Sequence, residues 1–222
     1  MTSKNEVITD HTKTSAKERL LETAIDVFGK HGYEASTTRM IAKEAGVNIS
    51  SIPYYFNGKE GLYRAMISHV VSIIVSHTSG VEKEMGGIDF NSDDARFKAA
   101  QMLEKLLNEL INFMIGSGQG LRIGRIILRE QLDPSSAYEL IFKGFMGGVI
   151  DSITALIMVI STRQTEKSAK IKAVAILGQV IVFRFARETV VRTLDFEGYS
   201  SEEVEEVRSM ILDHTRAIIA TL

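Results

Sequence analysis

Residues 36–62 constrain the fold of this chain more than any other stretch, because they combine two short helical patterns with a glycine turn between them. Thr37 or Thr38 can cap the first helix by accepting a hydrogen bond from a free amide. Gly46 stands where that helix must stop, since glycine adopts a left-handed backbone at little cost. The pattern predicts a helix-turn-helix, the unit that presents its second helix to DNA.

The second helix of this unit is predicted to begin at Asn48, which is a good helix cap. Ile49 and Ile52 are predicted to pack inward. The side chains left for an outside partner are then Ser50, Ser51, Tyr54 and Tyr55. Asn57 and Glu60 have the spacing of a capping box and predict the start of the following helix.

Amphipathic helices are predicted on both sides of the unit. Upstream, residues 17–31 form one whose apolar positions are Leu21, Ala24, Ile25 and Phe28 and whose end is Gly32. Downstream, a fourth helix carries its apolar positions at Leu62, Met66, Val70 and Ile73. The first helix is predicted to support the helix-turn-helix.

The segment AIDVFGKHGYEASTTRMIAKEAGVNISSIPYYFNGKEGLYRAMI resembles the N-terminal domain of TetR/AcrR-family transcriptional regulators. The resemblance implies an all-α protein with a three-helix DNA-binding domain, whose third helix enters the major groove of double-stranded DNA. By position, it implies DNA contacts from Thr37, Thr38 and Arg39 at the second helix, from Ser50, Ser51, Tyr54 and Tyr55 on the recognition helix, and from Lys59 to a phosphate. Taken alone, Arg39 could be a solvated residue, and Tyr54 and Tyr55 could be packing residues.

Pro53 departs from the family pattern, which usually has a tyrosine at this place. A proline removes one amide and crowds the carbonyl four residues back, so the recognition helix is predicted to be short or locally 3₁₀. The phosphate contact usually made by that tyrosine is left to Tyr54 or Tyr55.

Composition excludes several classes of protein. The 222 residues suffice for one or two domains, and the absence of cysteine excludes disulfides and thiolate chemistry. The net charge is −2, and residues 1–64 carry nine Lys or Arg against eight Asp or Glu. A basic surface must therefore come from the arrangement of side chains. Residues 1–15 are polar and lack an apolar signal region, which predicts a disordered arm and a cytoplasmic protein.

The rest of the chain is also predicted to be helical. Residues 77–94 are predicted to form a long loop, residues 94–115 a helix with apolar positions at Phe97, Leu103, Leu107, Leu110 and Met114, and residues 116–120 a connector. Asp133 and Pro134 are predicted to start a helix that reaches residue 160 and is interrupted by Gly144, Gly147 and Gly148. A helix over 166–195 and a final helix with a capping box at Ser200 and Glu203 complete the pattern.

Two apolar stretches, residues 145–160 and 173–186, are shorter than the ~20 residues of a membrane span. They also contain Asp151, Gln179 and Arg184, so we expect no membrane partner and interpret them as buried helices. The helix over 166–195 is apolar on more than one face, which predicts a homodimer through the last two helices in a four-helix bundle. Such a dimer places two recognition helices on a palindromic operator.

The phrases RIILREQLDPSSAYELIF and AILGQVIVFRFARE resemble the C-terminal domain of a TetR subfamily named after the regulator CerR and also called YbiH-like. The resemblance covers roughly residues 95–220 and implies a response to small apolar or aromatic compounds. The predicted organisation is thus a DNA-binding domain at 16–62 and a helical ligand-binding and dimerisation domain at 63–222.

A cavity in that second domain is predicted to be lined by charged, polar and large apolar side chains. The candidates are Arg122, Arg125, Arg129, Phe145, Met146, Asp151, Gln179, Phe183 and Arg184. Each has a plainer alternative: the three α-helical arginines as a solvated stripe, Arg184 in an ion pair with Glu188, the apolar residues as core, and Gln179 at a subunit contact.

These patterns predict a ligand-responsive transcriptional regulator, most simply a repressor that leaves its operator when a small-molecule effector binds. The alternative is an architectural or partner-recruiting DNA-binding protein of the same fold without an effector. We expect no enzyme, no cofactor and no metal site. The five histidines, His11, His31, His69, His77 and His214, fall in no metal-ligand spacing, and no nucleophile elbow or dinucleotide loop is present in the sequence.

Overall fold

The computed structural model describes residues 15–90 and 92–222, and within these residues all regular secondary structure is helical. The prediction of an all-α fold is therefore confirmed. The chain divides into two compact units between Met66 and Ile67, a few residues after the predicted boundary. Residues 1–14 of the predicted N-terminal arm lie outside the described residues, whereas Ser15 is the cap of the first helix.

The helices follow one another in an order close to the predicted one. The first unit contains α1 (Ala16–Ala35), α2 (Thr38–Glu44), α3 (Ser51–Phe56) and the start of α4 (Lys59–Met85). The second unit continues with α5 (Ala95–Met114), α6 (Gly118–Leu132), α7 (Tyr138–Ile141), a π-helical segment (Phe142–Met146), α8 (Gly147–Ile160), α9 (Glu166–Phe185), α10 (Arg187–Leu194) and α11 (Ser201–Ala220).

The first unit is organised around α1, which begins with a capping box that was not predicted. Ser15 Oγ accepts a hydrogen bond from the Glu18 amide at 3.1 Å, and Glu18 Oε2 accepts one from the Ser15 amide at 2.9 Å. Gly32, at φ 81°, bends the chain where the helix was predicted to end, and helical residues continue to Ala35. The core of the unit consists of fully buried side chains: Leu20, Ala24, Phe28, Ile41, Ile52 and Leu62.

α4 is longer than predicted, and the predicted loop from residue 77 is wrong over its first half. The helix runs to Met85, which leaves only residues 86–94 as the connection to α5. Val81 and Thr78 are buried, and Val81 belongs to the core of the second unit. This packing outweighs the cost of about 0.5–1 kcal/mol that Gly80 imposes on a helix.

α5 lies at the centre of the second unit and packs against α6, α8, α9 and α11. Its bounds agree with the predicted helix, and Leu103, Leu107 and Leu110 are fully buried as predicted. The prediction for Phe97 is wrong, because this side chain is exposed. The buried face of the first turns passes through Ala95 and Ala99, which places Phe97 on the opposite side of the helix.

Polar side chains join the helices around α5. Arg216 on α11 donates from Nε and Nη2 to the Glu104 carboxylate on α5, at 2.9 and 2.7 Å. The ring of His214 on α11 lies 3.2 Å from Gln179 Oε1 on α9, measured from Nδ1. α11 itself begins with the predicted capping box at Ser200, which is confirmed.

The connections on either side of α6 differ from the prediction. α6 begins at Gly118, inside the predicted connector, because Ser117 Oγ caps it by accepting from the Gly120 amide at 2.9 Å. Asp133 ends α6 and does not begin the next helix. The buried Glu130 carboxylate binds both the amide and the hydroxyl of Ser135, at 3.1 and 2.8 Å, which holds this segment in a turn until α7 begins.

Two long predicted helices are interrupted. The predicted interruption by glycines takes the form of the π-helical segment, and the Gly147 amide closes it by donating to the Phe142 carbonyl five residues back. The predicted helix over 166–195 is wrong as a single element, because Ala186, at φ −95° and ψ 24°, separates α9 from α10.

The run Tyr138–Ile160 comprises α7, the π-helical segment and α8, and its 23 residues are long and apolar enough to cross a membrane by length and composition. The apolar stretch predicted at residues 145–160 is shorter than a membrane span. The apolar run is longer than that, because the helical residues from Tyr138 onward belong to it. α8 packs against α5 and α9, and its buried residues Val149, Ile153, Leu156 and Ile157 belong to the core. We therefore interpret α8 as a core helix.

The close approach of α6 to the end of α5 yields a stability prediction. A Cβ at Gly120 would lie 2.1 Å from the Phe113 carbonyl oxygen, so Gly120→Ala must push the two helices apart and lower the free energy of unfolding by about 1–3 kcal/mol. Gly118→Ala, two residues earlier, meets no atom within 4 Å and should change it by less than about 1 kcal/mol. Chemical denaturation followed by circular dichroism measures both, and equal stabilities would contradict the contact.

Candidate nucleic-acid interface and effector cavity

The turn between α2 and α3 has the geometry that the sequence predicts. Thr37 is the cap of α2, since its Oγ1 accepts from the Met40 amide at 3.1 Å. Gly46 has φ 63°, in the left-handed region. The Val47 amide then donates to the Ala42 carbonyl at 3.0 Å, which closes the turn. The turn therefore carries α3 away from α2 with its own hydrogen bonds satisfied.

α3 is short and begins with 3₁₀-type hydrogen bonds, as Pro53 predicts. The Ser51 amide donates to the Asn48 carbonyl at 2.9 Å, and the Ile52 amide to the Ile49 carbonyl at 3.1 Å. Ile52 thus already bonds the carbonyl that an amide at position 53 would use. The helix closes after six residues, where Asn57 adopts φ 58°. Asn57 therefore ends α3, and Gly58 instead of Asn57 directly precedes α4.

Two residues before α3 behave differently from the prediction. Ile49 is 46% exposed, so its predicted inward packing is wrong, whereas Ile52 is fully buried. Ile49 lies in the turn before Ser51, where the helical spacing that would align it with Ile52 does not yet apply. Asn48 does not cap the helix itself, because its Oδ1 accepts from the amide and hydroxyl of Ser50 at 2.9 and 2.8 Å.

The outward side of α3 carries two tyrosines. Tyr54 is 81% exposed and Tyr55 is also exposed, and their rings meet edge to face with centroids 4.8 Å apart. The alternative of a buried packing role does not hold for either ring. A large exposed aromatic pair on a short helix is the kind of surface that contacts a partner.

Lys59 is held at the first residue of α4. Its Nζ donates to the Glu34 carbonyl at 3.3 Å and lies 4.3 Å from the centroid of the Tyr33 ring. Tyr33 packs in turn on Tyr63, with centroids 5.0 Å apart. Burial, followed by Glu60 and Glu34, raises the pKa of Tyr33, so the ring under the ammonium stays a neutral phenol.

All eight predicted DNA-contacting residues lie in the first unit, and none of them is buried. Thr37, Arg39, Ser50, Tyr54 and Tyr55 are exposed, and Thr38, Ser51 and Lys59 are half-buried. They occupy the start of α2, the turn and helix of α3, and the start of α4. Two of these three places are helix N-termini, where amides favour phosphate oxygens.

The second unit contains a cavity of about 380 Å³ between α4, α5, α6, the π-helical segment, α8 and α9. Its lining is Ile74, Phe113, Met114, Gly120, Ile123, Gly124, Ile127, Leu128, Gln131, Phe145, Met146, Ile150, Val174, Leu177, Gly178, Ile181 and Phe185. Gln131 provides the one polar side chain of this lining. The volume and the apolar walls suit a small organic ligand, because such sites usually have about 300–1,000 Å³.

The nine predicted ligand residues divide between the cavity and other places. Phe145 and Met146 line the cavity. Arg125 and Arg129 are exposed on α6, Arg122 is half-buried, and Asp151 is exposed on α8. Phe183 packs against the core, and Gln179 has His214 as its partner. Arg184 is buried directly behind the cavity wall.

Most cavity residues were not predicted. On α6 the predicted residues were the arginines, which do not line the cavity. Gly120, Ile123, Gly124, Ile127 and Gln131 follow the spacing of one helical face, and that face lines the cavity. This spacing in the sequence indicates the face of α6 that lines the cavity. The cavity residues on α9 are interleaved with core residues, and only the packing distinguishes them.

Arg184 does not form the predicted alternative pair with Glu188. Glu188 binds Arg192 instead, at 2.7 Å, and both of these side chains are exposed. Arg184 Nη1 donates to the Met114 carbonyl at the end of α5, at 3.2 Å. Burial, together with Arg187 and Arg125, lowers the pKa of the Arg184 guanidinium, although a guanidinium remains protonated at neutral pH.

No group of three or more His, Asp or Glu side chains among the described residues is placed to hold a metal ion. The site chemistry in these residues is therefore that of two surfaces: exposed hydroxyl, aromatic and cationic groups on the first unit, and an apolar cavity in the second.

Comparison with known families decides what the first surface belongs to. Residues 20–66 match the bacterial regulatory proteins of the tetR family, and residues 99–222 match the C-terminal domain of the HTH-type transcriptional dual regulator CecR. The chain belongs to the TetR family of transcriptional regulators. The subfamily is that of CecR, so the name CerR was wrong. The members of this family bind operator DNA through the helix-turn-helix.

Individual relatives agree with this assignment. The chain is 26% identical over 208 residues to CecR of Shigella flexneri, which covers 93% of this chain and 92% of that protein. It is 41% identical over 56 residues to the probable regulator YttP of Bacillus subtilis, covering 25% of this chain and 27% of YttP. CecR is a transcriptional dual regulator, and YttP is described as a probable transcriptional regulator.

Solved structures share the fold at low identity. AibR in complex with isovaleryl coenzyme A and operator DNA has a TM-score of 0.65 at 15% identity, over 89% of this chain and 96% of AibR. A transcriptional regulator from Rhodococcus sp. Rha1 has a TM-score of 0.63 at 20% identity, over 90% and 95%. Both likenesses concern the fold alone.

The position of Lys59 leads to a prediction about DNA affinity. Lys59→Ala should weaken binding to every duplex by a similar factor and reduce the slope of log affinity against log salt by about 0.9, as expected for one phosphate contact. Fluorescence anisotropy at several salt concentrations measures this slope. Lys83→Ala, which removes an exposed lysine of the second unit, serves as the control. An unchanged slope for Lys59→Ala would remove this residue from the interface.

Proposed function

We propose that this protein is a dimeric, ligand-responsive repressor, released from a palindromic operator when a small molecule occupies its C-terminal cavity. The observation that carries the proposal is the 380 Å³ apolar cavity, which lies in the same chain as the exposed helix-turn-helix surface. A core helix bundle without a ligand function has little reason to leave such a space, because protein interiors are close-packed.

The outer face of α9 supports the dimer. Ile171 is 62% exposed, Val174 is 54% exposed, and Val182 is exposed about two turns further along the same side. This row of aliphatic side chains has no cover within the described part of the chain. A second copy that packs its own α9 and α11 against this row would bury it in a four-helix bundle.

A dimer also explains how six residues of α3 select a sequence. One short helix contacts few bases, but two helices placed by a twofold axis read half-sites about one helical turn apart. The palindrome of the operator then reflects the symmetry of the protein, which acts in the cytoplasm.

α9 and α4 connect the cavity to these surfaces. Val174, Gly178 and Ile181 of α9 line the cavity, and Val174 also belongs to the exposed row. α4 begins with Lys59 and contributes Ile74 to the cavity. A ligand that binds one arrangement of these helices better than another shifts the population toward it, and this differential affinity is the basis of the proposed release.

The neighbours of known structure are consistent with a regulator of this kind. AibR was solved with both isovaleryl coenzyme A and operator DNA, and another neighbour, FadR from Bacillus halodurans, is a fatty acid degradation regulator. FadR has a TM-score of 0.60 at 17% identity. The same fold thus accommodates a small ligand and an operator in at least one relative.

The dimer and the DNA interface are tested together. Selection from genomic fragments should yield a palindromic duplex bound by two chains, with a dissociation constant of roughly 10⁻⁸ M or below at moderate salt. Ile171→Asp places a charge in the exposed row of α9 and should produce monomers that lose at least tenfold in operator affinity. Sedimentation velocity and anisotropy measure both effects. Thr193→Asp, an exposed position on α10, is the control.

Two outcomes would contradict the proposal. The first is the absence of any duplex bound more tightly than random DNA. The second is a small-molecule screen in which compounds occupy the cavity without altering operator affinity, which would leave a DNA-binding protein of the same fold without an effector.

A further inference from the structure

A buried cation lies behind the wall of the cavity. Arg184 on α9 is only 7% exposed. Its one hydrogen bond runs from Nη1 to the Met114 carbonyl, and no carboxylate pairs with it among the described residues. Isolated buried charges are unfavourable, so a buried guanidinium without an anionic partner calls for an explanation.

The guanidinium touches two residues that line the cavity. Met114, whose carbonyl accepts its hydrogen bond, is one of them. Gly124 on α6 is the other, and a Cβ there would lie 3.1 Å from Arg184 Nε and 3.4 Å from Cδ. The missing side chain of Gly124 therefore lets the cationic group lie directly against the backbone of the cavity wall.

Two further arginines lie near Arg184. Arg187, Arg125 and the Tyr199 phenol all act on it electrostatically. Arg187 lies over the Tyr199 ring, 5.8 Å from its centroid, and the Tyr199 hydroxyl donates to the Phe183 carbonyl at 2.8 Å. This corner of the second unit thus places three guanidinium groups near one another.

We propose that the effector is an amphipathic anion, with an apolar body in the cavity and a carboxylate or phosphate group at the end near Arg184. This inference rests on the proposed effector function of the cavity. The anion supplies the missing counter-charge, and charge-assisted bonds to a guanidinium are the strong ones in a protein interior. The aliphatic walls formed by Ile123, Ile127, Leu177 and Ile181 receive the apolar body.

The test compares ligands that share one apolar chain and differ in the head group. Decanoate, decyl phosphate and decanol are titrated into the full-length protein by isothermal calorimetry. One or both anions should bind at least tenfold more tightly than decanol, and the comparison between them distinguishes a carboxylate from a phosphate ligand. Equal affinities for all three, or no binding of any, would overturn the inference.

Variants identify the residue responsible. Arg184→Gln should abolish the preference for the anion, and Arg184→Lys should retain part of it, because it keeps the charge but not the planar fork. Arg192→Gln, an exposed arginine paired with Glu188, should leave the preference unchanged. Should Arg184→Gln fail to fold, as judged by circular dichroism, Arg187→Gln and Arg125→Gln should each reduce the preference. A preference for the anion that persists in Arg184→Gln, or in both Arg187→Gln and Arg125→Gln, would overturn the role of these arginines.

Operator release is measured separately, with the selected duplex and the same three compounds. Anion-selective binding without release would leave the ligand class standing and contradict the proposed repressor mechanism. Release by decanol as effectively as by decanoate would overturn the anion inference and leave the mechanism standing.

A second inference follows independently from the chemistry of α3. The outward residues of α3 and the turn before it are Ile49, Ser50, Ser51, Tyr54 and Tyr55, and none carries a charge or an amide group. The nearby Asn48 amide group already uses its Oδ1 on Ser50. Guanine is usually read by Arg or Lys and adenine by Asn or Gln, whereas thymine offers a methyl group to apolar side chains.

We infer that α3 and the turn before it read thymine methyl groups, with the exposed Ile49 of this turn as a specificity-determining residue. Replacing thymine by deoxyuridine at single positions of the selected duplex removes only the methyl group and should weaken binding severalfold at one or more positions in each half-site. Replacing guanine by 7-deazaguanine in the same half-sites should have a smaller effect.

The Ile49→Ala variant and the deoxyuridine duplex together form a double-mutant cycle. Ile49→Ala should weaken binding to the thymine duplex and lose sensitivity to deoxyuridine at one position, since both changes remove the same contact. Leu132→Ala, which removes an exposed large apolar side chain from the second unit, should keep that sensitivity. Full sensitivity to deoxyuridine in Ile49→Ala, or none in the wild type, would overturn the inference without affecting DNA binding as such.

Discussion

The two-sided use of α9 is the constraint on which the second unit depends. Its inner residues, such as Ala173, Ile176 and Val180, are fully buried against the core around α5 and α8, while Ile171 and Val182 on its outer side remain exposed. Between these two sides, Leu177 and Ile181 border the cavity. One helix therefore supports the core, the cavity and the proposed dimer, so a change in any one of them is felt by the others.

In the first unit, the very short helix α3 is stabilised by the turns at its two ends. Gly46 provides the left-handed turn before α3, and Asn57 provides another after it. Pro53 costs this helix no hydrogen bond, because the Ile49 carbonyl already accepts from Ile52. The side chains of Tyr54, Tyr55 and Ile49 are exposed and do not pack in the core, so they can contact a partner.

Features that depend on a few neighbouring residues could be predicted from the sequence, whereas features that depend on tertiary packing could not. The Ser200 capping box, the Gly46 turn and the short α3 follow from a few neighbouring residues, and all were predicted. Ile49 was misplaced because the helical repeat was extended two residues too far into a turn. The predicted helix start at Asp133 was wrong because the buried Glu130 binds Ser135 and delays the next helix until α7.

By itself, the sequence determined that this is a TetR-family regulator with a helix-turn-helix and a helical C-terminal domain, because spacing and capping residues act within a few positions of the chain. Only the tertiary structure decided which residues surround the cavity, since they come from five α-helices and the π-helical segment. It also decided that Arg184 binds the Met114 carbonyl and lies beside Gly124, contacts between residues at least 60 positions apart. Charge burial is a property of such distant contacts, and no local pattern encodes it.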